Sequence, residues 1–235
     1  MMATTFSPAE VPLIILFVGA MILAIIFSVI SAERKSRAER SRLIRLRDLT
    51  TRLGFESFTA DRDDEFTRKW DFLYRLMWHK DHYAFNLLRG SYHGQSLFIF
   101  DFNYTTVSNK SPQDNLTTMF LLIFKEAFPL LTIGPEAIST RLASVVGIGE
   151  KIKFESAEFS KRFSVRCADK KFAYDICNPQ MIDYLLANPR LEIEIQGPCL
   201  LLAFEPQLPV RQIEFNLQRL IEIRSRLPQY LFTNA

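Results

Sequence analysis

Cysteine, glycine and histidine are scarce in this 235-residue chain, and each shortage removes a class of function. Cys167, Cys177 and Cys199 are odd in number and form no CxxC pair, so neither a metal finger nor a disulfide framework is readable. Three free thiols suit a reducing compartment. Gly147-Ile148-Gly149 lacks the third glycine and the preceding strand of a dinucleotide fingerprint. The chain holds no P-loop, no GxSxG elbow and no HExxH pair. Its histidines are His79, His82 and His93, and no carboxylate motif accompanies them to complete a zinc ligand set. They read as turn and surface residues. The acidic patch Asp61-Arg62-Asp63-Asp64-Glu65 lacks the ligand spacing and glycine turn of a calcium loop. It reads as a solvated loop running into a helix N-terminus, where acids are favoured. No metal and no cofactor is expected.

Positive charge is missing where a signal peptide would carry it. No Lys or Arg precedes residue 11, and residues 11–30, VPLIILFVGAMILAIIFSVI, hold no charge and a single hydroxyl, Ser28. A helix of that length rises about 30 Å, the thickness of a bilayer's hydrocarbon core. A cleavable signal has a basic leader and an apolar run of only about 7–15 residues. The stretch therefore reads as a transmembrane helix behind a short external leader, residues 1–10. Ser31-Ala32 offer small residues near its end, which keeps signal cleavage open as the alternative.

A net charge of +3 and a pI of 8.8 first suggest a nucleic-acid partner. The location of the charge decides otherwise. In residues 31–52, Arg34, Lys35, Arg37, Arg40, Arg42, Arg45, Arg47 and Arg52 stand against only Glu33, Glu39 and Asp48. Those eight of the chain's 29 bases leave 21 for residues 53–235, which carry 22 acids. The whole excess sits beside the apolar run, so it points to a lipid surface and not to DNA or RNA. By the positive-inside rule the N-terminus lies outside and the body is cytoplasmic, which places the chain in a bacterial inner membrane as a single-pass protein.

Leu43, Leu46, Leu49 and Leu53 recur at helical spacing and Gly54 supplies a stop, so residues 31–54 read as a basic juxtamembrane helix. One reading lays it on anionic headgroups through Arg34, Lys35, Arg37, Arg40, Arg42, Arg45 and Arg47. The other makes it a stalk whose leucine stripe packs on the body. The two are compatible.

Residues 55–235 read as an α+β body with antiparallel hairpins and helices packed on one face. There is room for two lobes, 55–140 and 150–235. Residues 55–64 look polar and irregular, and a helix over 64–78 aligns Phe66, Trp70, Leu73 and Met77. Strands over 83–90 and 95–105 flank the turn Ser91-Tyr92-His93-Gly94. Phe98, Phe100, Phe102 and Tyr104 then line one face of the second strand, with Ile99, Asp101 and Asn103 on the other. An aromatic strand face can stack bases, but no flanking bases accompany this one, so it reads as core. Residues 109–115 form a polar loop, 117–124 a buried strand, and Pro129 and Pro135 bracket an irregular crossing. A short helix is expected over 139–146. Residues 160–168 alternate as a half-buried strand, and a helix follows from about Asp169. Asn178-Pro179 caps another helix, which Asn188-Pro189 stops. Strands over 191–196 and 199–204 are joined by a turn at Gly197-Pro198, and a helix over 210–227 closes the chain.

Residues 152–165, IKFESAEFSKRFSV, follow the pattern E-S-x-E-F-x-K-R-F-x-V. With the hairpin at 90–104, the stretch 172–186 (FAYDICNPQMIDYLL) and the closing Leu227-Pro228, this resembles a family of uncharacterised bacterial single-pass membrane proteins of the domain-of-unknown-function type. The resemblance covers about residues 42–230. It implies a bacterial envelope protein and says nothing about catalysis.

Two functional expectations follow. The first is a membrane-anchored cytoplasmic interaction module that binds the bilayer's anionic headgroups, a protein partner or a second copy of itself. The alternative is a membrane-bound enzyme with a carboxylate site around Glu155, Glu158 and Asp101, in which Glu155, Glu158 and Arg162 form a polar pocket holding a general acid. Against the pocket stands an ion pair between Glu158 and Arg162 that fixes the start of the strand, with Phe159 and Phe163 filling the core. An export-facing body is a third possibility, decided by topology alone.

Overall fold

The computed structural model describes residues 11–60, 65–70, 80–107, 112–136 and 149–232. It divides into two units, residues 1–46 and 47–235. The helix does not end where the apolar run gives way to the arginines. Helix α1 (Val11–Leu53) is unbroken over 43 residues, about 64 Å of rise. Among the described residues it is long and apolar enough, by length and composition, to cross a membrane. Leu16 and Phe27 are 73% and 74% exposed, and the other large apolar side chains between them are exposed as well.

In the second unit the last turns of α1 begin the body. Leu49 is 2% exposed, Phe55 N–H bonds the carbonyl of Thr50 at 2.9 Å, and Gly54 turns the chain at φ +68°. The leucine stripe therefore serves the stalk reading at this end. Strand β1 (Glu56–Ala60) follows where an irregular loop was expected. It is an edge strand with one partner, so its sequence needs no apolar alternation to hold it.

Of the helix expected over 64–78, a single turn, α2 (Glu65–Arg68), is described; residues 61–64 and 71–79 lie outside the described set, His79, Leu73 and Met77 among them. Strands β2 (Lys80–Tyr92) and β3 (Gln95–Val107) form the expected hairpin with a two-residue turn. His93 (φ +49°) and Gly94 (φ +76°) both adopt the left-handed conformation that matches the twist of paired strands.

Strand β4 (Pro112–Pro135) organises the sheet. It takes in the expected polar loop from Pro112, the buried run and the supposed crossing at Pro129, and is 24 residues long. β3 pairs with its first half, β5 (Phe163–Cys167) with its end, and β6 (Glu192–Phe204) with both. Register shifts against β6 between Ile123, Phe128 and Leu131 mark a bulge, and a bulge is where a strand accommodates proline. The same bulge absorbs Gly197-Pro198: β6 runs through them as one strand where a turn was expected. The two lobes expected at 55–140 and 150–235 are thus one compact unit, because a single six-stranded antiparallel sheet passes through both.

Both faces of the sheet's centre are buried. Phe100, Phe102, Tyr104, Met119, Leu121, Cys199 and Leu201 share one face, with Phe66 and Trp70 packed against it. Ile99, Phe120, Leu122, Leu200 and Leu202 alternate with them and are equally buried. The C-terminal helices are set by short caps. Ser156 caps α3 (Ala157–Arg162), a turn that precedes β5 where strand was expected from residue 160. Asp169 caps α4 (Lys170–Ile176) and Asn178 caps α5 (Pro179–Ala187) with Pro179 at its start, as expected. A 3₁₀ turn (Val210–Gln212) leads into α6 (Ile213–Arg226), which packs on β4. The helix expected over 139–146 lies outside the described residues.

Candidate functional site

The basic residues that follow the apolar run sit on the uninterrupted helix α1. Arg34, Arg37, Arg40, Arg45 and Arg47 are exposed and Arg42 is half-buried; Lys35 occupies the same helix. Arg37 pairs with Glu33 one turn away at 3.3 Å.

Glu155, Glu158 and Arg162 sit at the start of β5. Glu158 and Arg162 form an exposed i,i+4 pair at 3.0 Å on α3, while Phe159 and Phe163 stack beneath it at 5.3 Å and are fully buried. Such an exposed pair is worth a few tenths of a kcal/mol, about the value of helix i,i+4 pairs. Glu155 is exposed. Asp101 is not brought to these residues. It pairs in register with Thr118 of β4, whereas Phe163 pairs with Pro135 at that strand's far end.

Asp101 is instead the centre of a buried network, itself 1% exposed. It accepts from Asn86 Nδ2 at 2.8 Å and from Thr118 Oγ1 at 2.9 Å. Asn86 reaches it from a bulge in β2, where it adopts φ +52°. Thr118 Oγ1 in turn accepts the backbone N–H of Leu208 at 3.0 Å. A second tie, Tyr104 Oη donating to Glu205 Oε2 at 3.2 Å, holds the same segment after β6. The segment 205–208 is therefore pinned to the sheet from two strands.

That pinned segment forms one wall of a cleft of about 670 Å³. The loop between α5 and β6 forms another, and the N-terminal half of α6 the third. This volume falls in the range of small-ligand sites. Arg190, Arg211 and Arg219 line it together with Glu192 and Glu205, and Phe215 stands at its side 60% exposed. Arg219 is held in place by three contacts. Its Nη2 donates to Asn188 Oδ1 at 2.7 Å, its Nη1 to Asn216 Oδ1 at 3.3 Å, and its guanidinium lies 4.6 Å from the centre of the Phe215 ring. Asn188 and Asn216 are themselves anchored, through Tyr184 O and Gln212 O at 2.8 Å each.

A second, shallower groove of about 550 Å³ runs between α5 and α6, lined by Gln180, Asp183, Tyr184, Ser225 and Arg226. Arg226 covers the Tyr184 ring at 4.1 Å, and burial, with Glu222 next, pushes the Tyr184 hydroxyl up to about 12. Neither opening is lined by Glu155, Glu158, Arg162 or Asp101. The thiols of Cys167 and Cys177 are pushed up chiefly by burial, which keeps them protonated and poor nucleophiles.

Sequence reasoning missed the 670 Å³ cleft. Its arginines come from two separate segments, Arg190 from the loop before β6 and Arg211 and Arg219 from the 3₁₀ turn and α6, so no linear spacing connects the two sides. The signal that was available is local: Phe215 and Arg219 lie four apart on the outward side of an amphipathic helix, where an aromatic residue has no core to fill.

No family model and no curated protein matches this chain. The fold is similar to that of the mycobacterial trehalose monomycolate transport factor A, TtfA, in its crystal structure. The TM-score is 0.57 at 14% identity, over 80% of this chain and 97% of that one.

Proposed function

We propose that this chain is a single-pass membrane-anchored interaction module, held in a bacterial inner membrane with its body in the cytoplasm. The observation that carries the reading is α1, whose apolar side chains from Leu16 to Ile30 are exposed and whose continuation is basic. A band of that size far exceeds the apolar patch a soluble monomer carries, so its solvent is lipid. The likeness to a protein named as a transport factor supports a role as an accessory to membrane transport machinery. The pattern E-S-x-E-F-x-K-R-F-x-V would then mark a family of such anchored bodies, with the α3–β5 junction as its structural core.

The unbroken helix refines how the arginines meet the membrane. At ~1.5 Å per residue beyond Ile30, Arg34, Lys35 and Arg37 lie within about 10 Å of the hydrocarbon edge, but Arg45 and Arg47 lie more than about 20 Å away. Screening at physiological salt acts over about 8 Å. The first group therefore reaches anionic headgroups and the second does not.

Flotation of the full-length protein with phosphatidylcholine vesicles, with and without phosphatidylglycerol, tests this part through lipid-dependent protection. Replacing Arg34, Lys35 and Arg37 with Gln should abolish the protection from proteolysis at residues 34–40 that phosphatidylglycerol confers. Replacing Arg45 and Arg47 should leave it intact. Equal effects from both sets would contradict the headgroup assignment. A C-terminal alkaline-phosphatase fusion should be inactive; an active one reverses the orientation.

A further inference from the structure

We propose that the 670 Å³ cleft between the α5–β6 loop and the start of α6 binds a phosphate ester whose organic part is apolar. The site is independent of the juxtamembrane arginines. Three observations converge on it. First, Arg190 from the α5–β6 loop and Arg211 and Arg219 from the 3₁₀–α6 stretch open onto one cavity. Among them Arg219 is already immobilised by Asn188, Asn216 and the Phe215 ring, so little side-chain entropy is lost when it meets an anion.

Second, the N-terminus of the α6 segment opens onto the same cavity through Pro209, Arg211 and Gln212, and no described side chain caps either the 3₁₀ turn or α6. The N–H groups of Gln212 and Ile213 are taken by the carbonyls of Pro209 and Val210, so what this end offers an oxyanion is the positive end of the helix dipole. Third, Phe215 is exposed beside the charge, and with Arg219 over one face its remaining ring surface adds an apolar contact to the cleft. Two acids share the lining, Glu192 and Glu205, and leave the three arginines in excess; Glu205 is engaged by Tyr104, which draws its charge toward the sheet. The walls are pinned by Thr118, Tyr104, Asn188 and Asn216, so the cleft is formed before any ligand arrives.

The ester can reach the cleft free in solution or as a phospholipid headgroup. Both share the chemistry that the arginines read.

Calorimetry on the full-length protein in dodecyl maltoside, with phenyl phosphate as the probe, tests the site. Saturable binding is expected, tighter than that of inorganic phosphate. Arg211→Ala should weaken it about tenfold, the scale of one charge-assisted hydrogen bond. Phe215→Ala should remove the advantage of phenyl phosphate over phosphate, and should weaken phosphate itself only modestly, because Arg219 loses its stack but keeps Asn188 and Asn216. Arg211 and Phe215 are exposed, so both variants are expected to keep the parent's circular-dichroism spectrum and melting temperature. Arg219→Lys, which keeps the charge but loses the fork and the stack, should weaken binding as well. Competition identifies the source: dihexanoyl-phosphatidylglycerol displaces the probe better than glycerol 1-phosphate if the natural ligand is a lipid, and worse if it is soluble. Absence of saturable binding, or equal affinity in the parent and Arg211→Ala, overturns the proposal.

Discussion

Gly90 shows how one missing atom group sets the edge of the sheet. A Cβ there would overlap the ring of Phe55, which lies against the backbone of β2 and is itself buried. Phe55 follows α1 after the single residue Gly54, so this contact fixes where the helix hands over to β1. Gly90→Ala should lower stability by about 1–3 kcal/mol, the usual cost of overpacking a filled site. Chemical denaturation with a residual check on the m-value would show it; an unchanged midpoint would mean that Phe55 can swing clear. Asp101 teaches the complementary lesson. Its sequence context, an acid between aromatics on a strand, invites a catalytic reading, yet its oxygens are taken by Asn86 and Thr118. A buried carboxylate satisfied on both oxygens can hold a loop in place as readily as it can do chemistry. Only the register of β2, β3 and β4 shows which.

Among the elements, those with a local cause were legible in the sequence. Asp169 and Asn178 announce helix starts because their side chains accept from the third residue on, at 3.0 Å in each case. Asn178 also donates to the carbonyl of Arg226 at 2.9 Å, joining the start of α5 to the end of α6. Asn178→Ala should therefore cost more than a simple cap, about 1–2 kcal/mol, and Asn178→Ser should recover only the cap part. Thermal unfolding of the two variants separates the terms; a Ser variant as stable as the parent would mean that the bond to Arg226 contributes nothing. The elements that were misread depend on distant partners. β1 is a polar edge strand held by β2 alone. Pro129 and Gly197-Pro198 look like breaks until β4 and β6 are paired across their shared bulge. Neither composition nor periodicity encodes a pairing across some 70 residues. The cleft at α6 was hidden for the same reason, since it is assembled from the ends of elements and not from any run of sequence.

For the whole molecule, the basic excess and the apolar run form one helical element, and the rest of the chain is nearly neutral. The basic excess lies next to the apolar run, while the arginine-lined cleft belongs to the nearly neutral body. With α1 as the proposed anchor, the body's location depends on that helix. Alkaline carbonate extraction of membranes from cells expressing the full-length chain is the most direct check, because it strips proteins held by charge and leaves those held by a hydrophobic span. The protein should stay entirely in the pellet, and after deletion of residues 11–30 it should move to the supernatant. Release of the full-length chain by carbonate would contradict the anchor, and with it the assignment of this protein to a membrane.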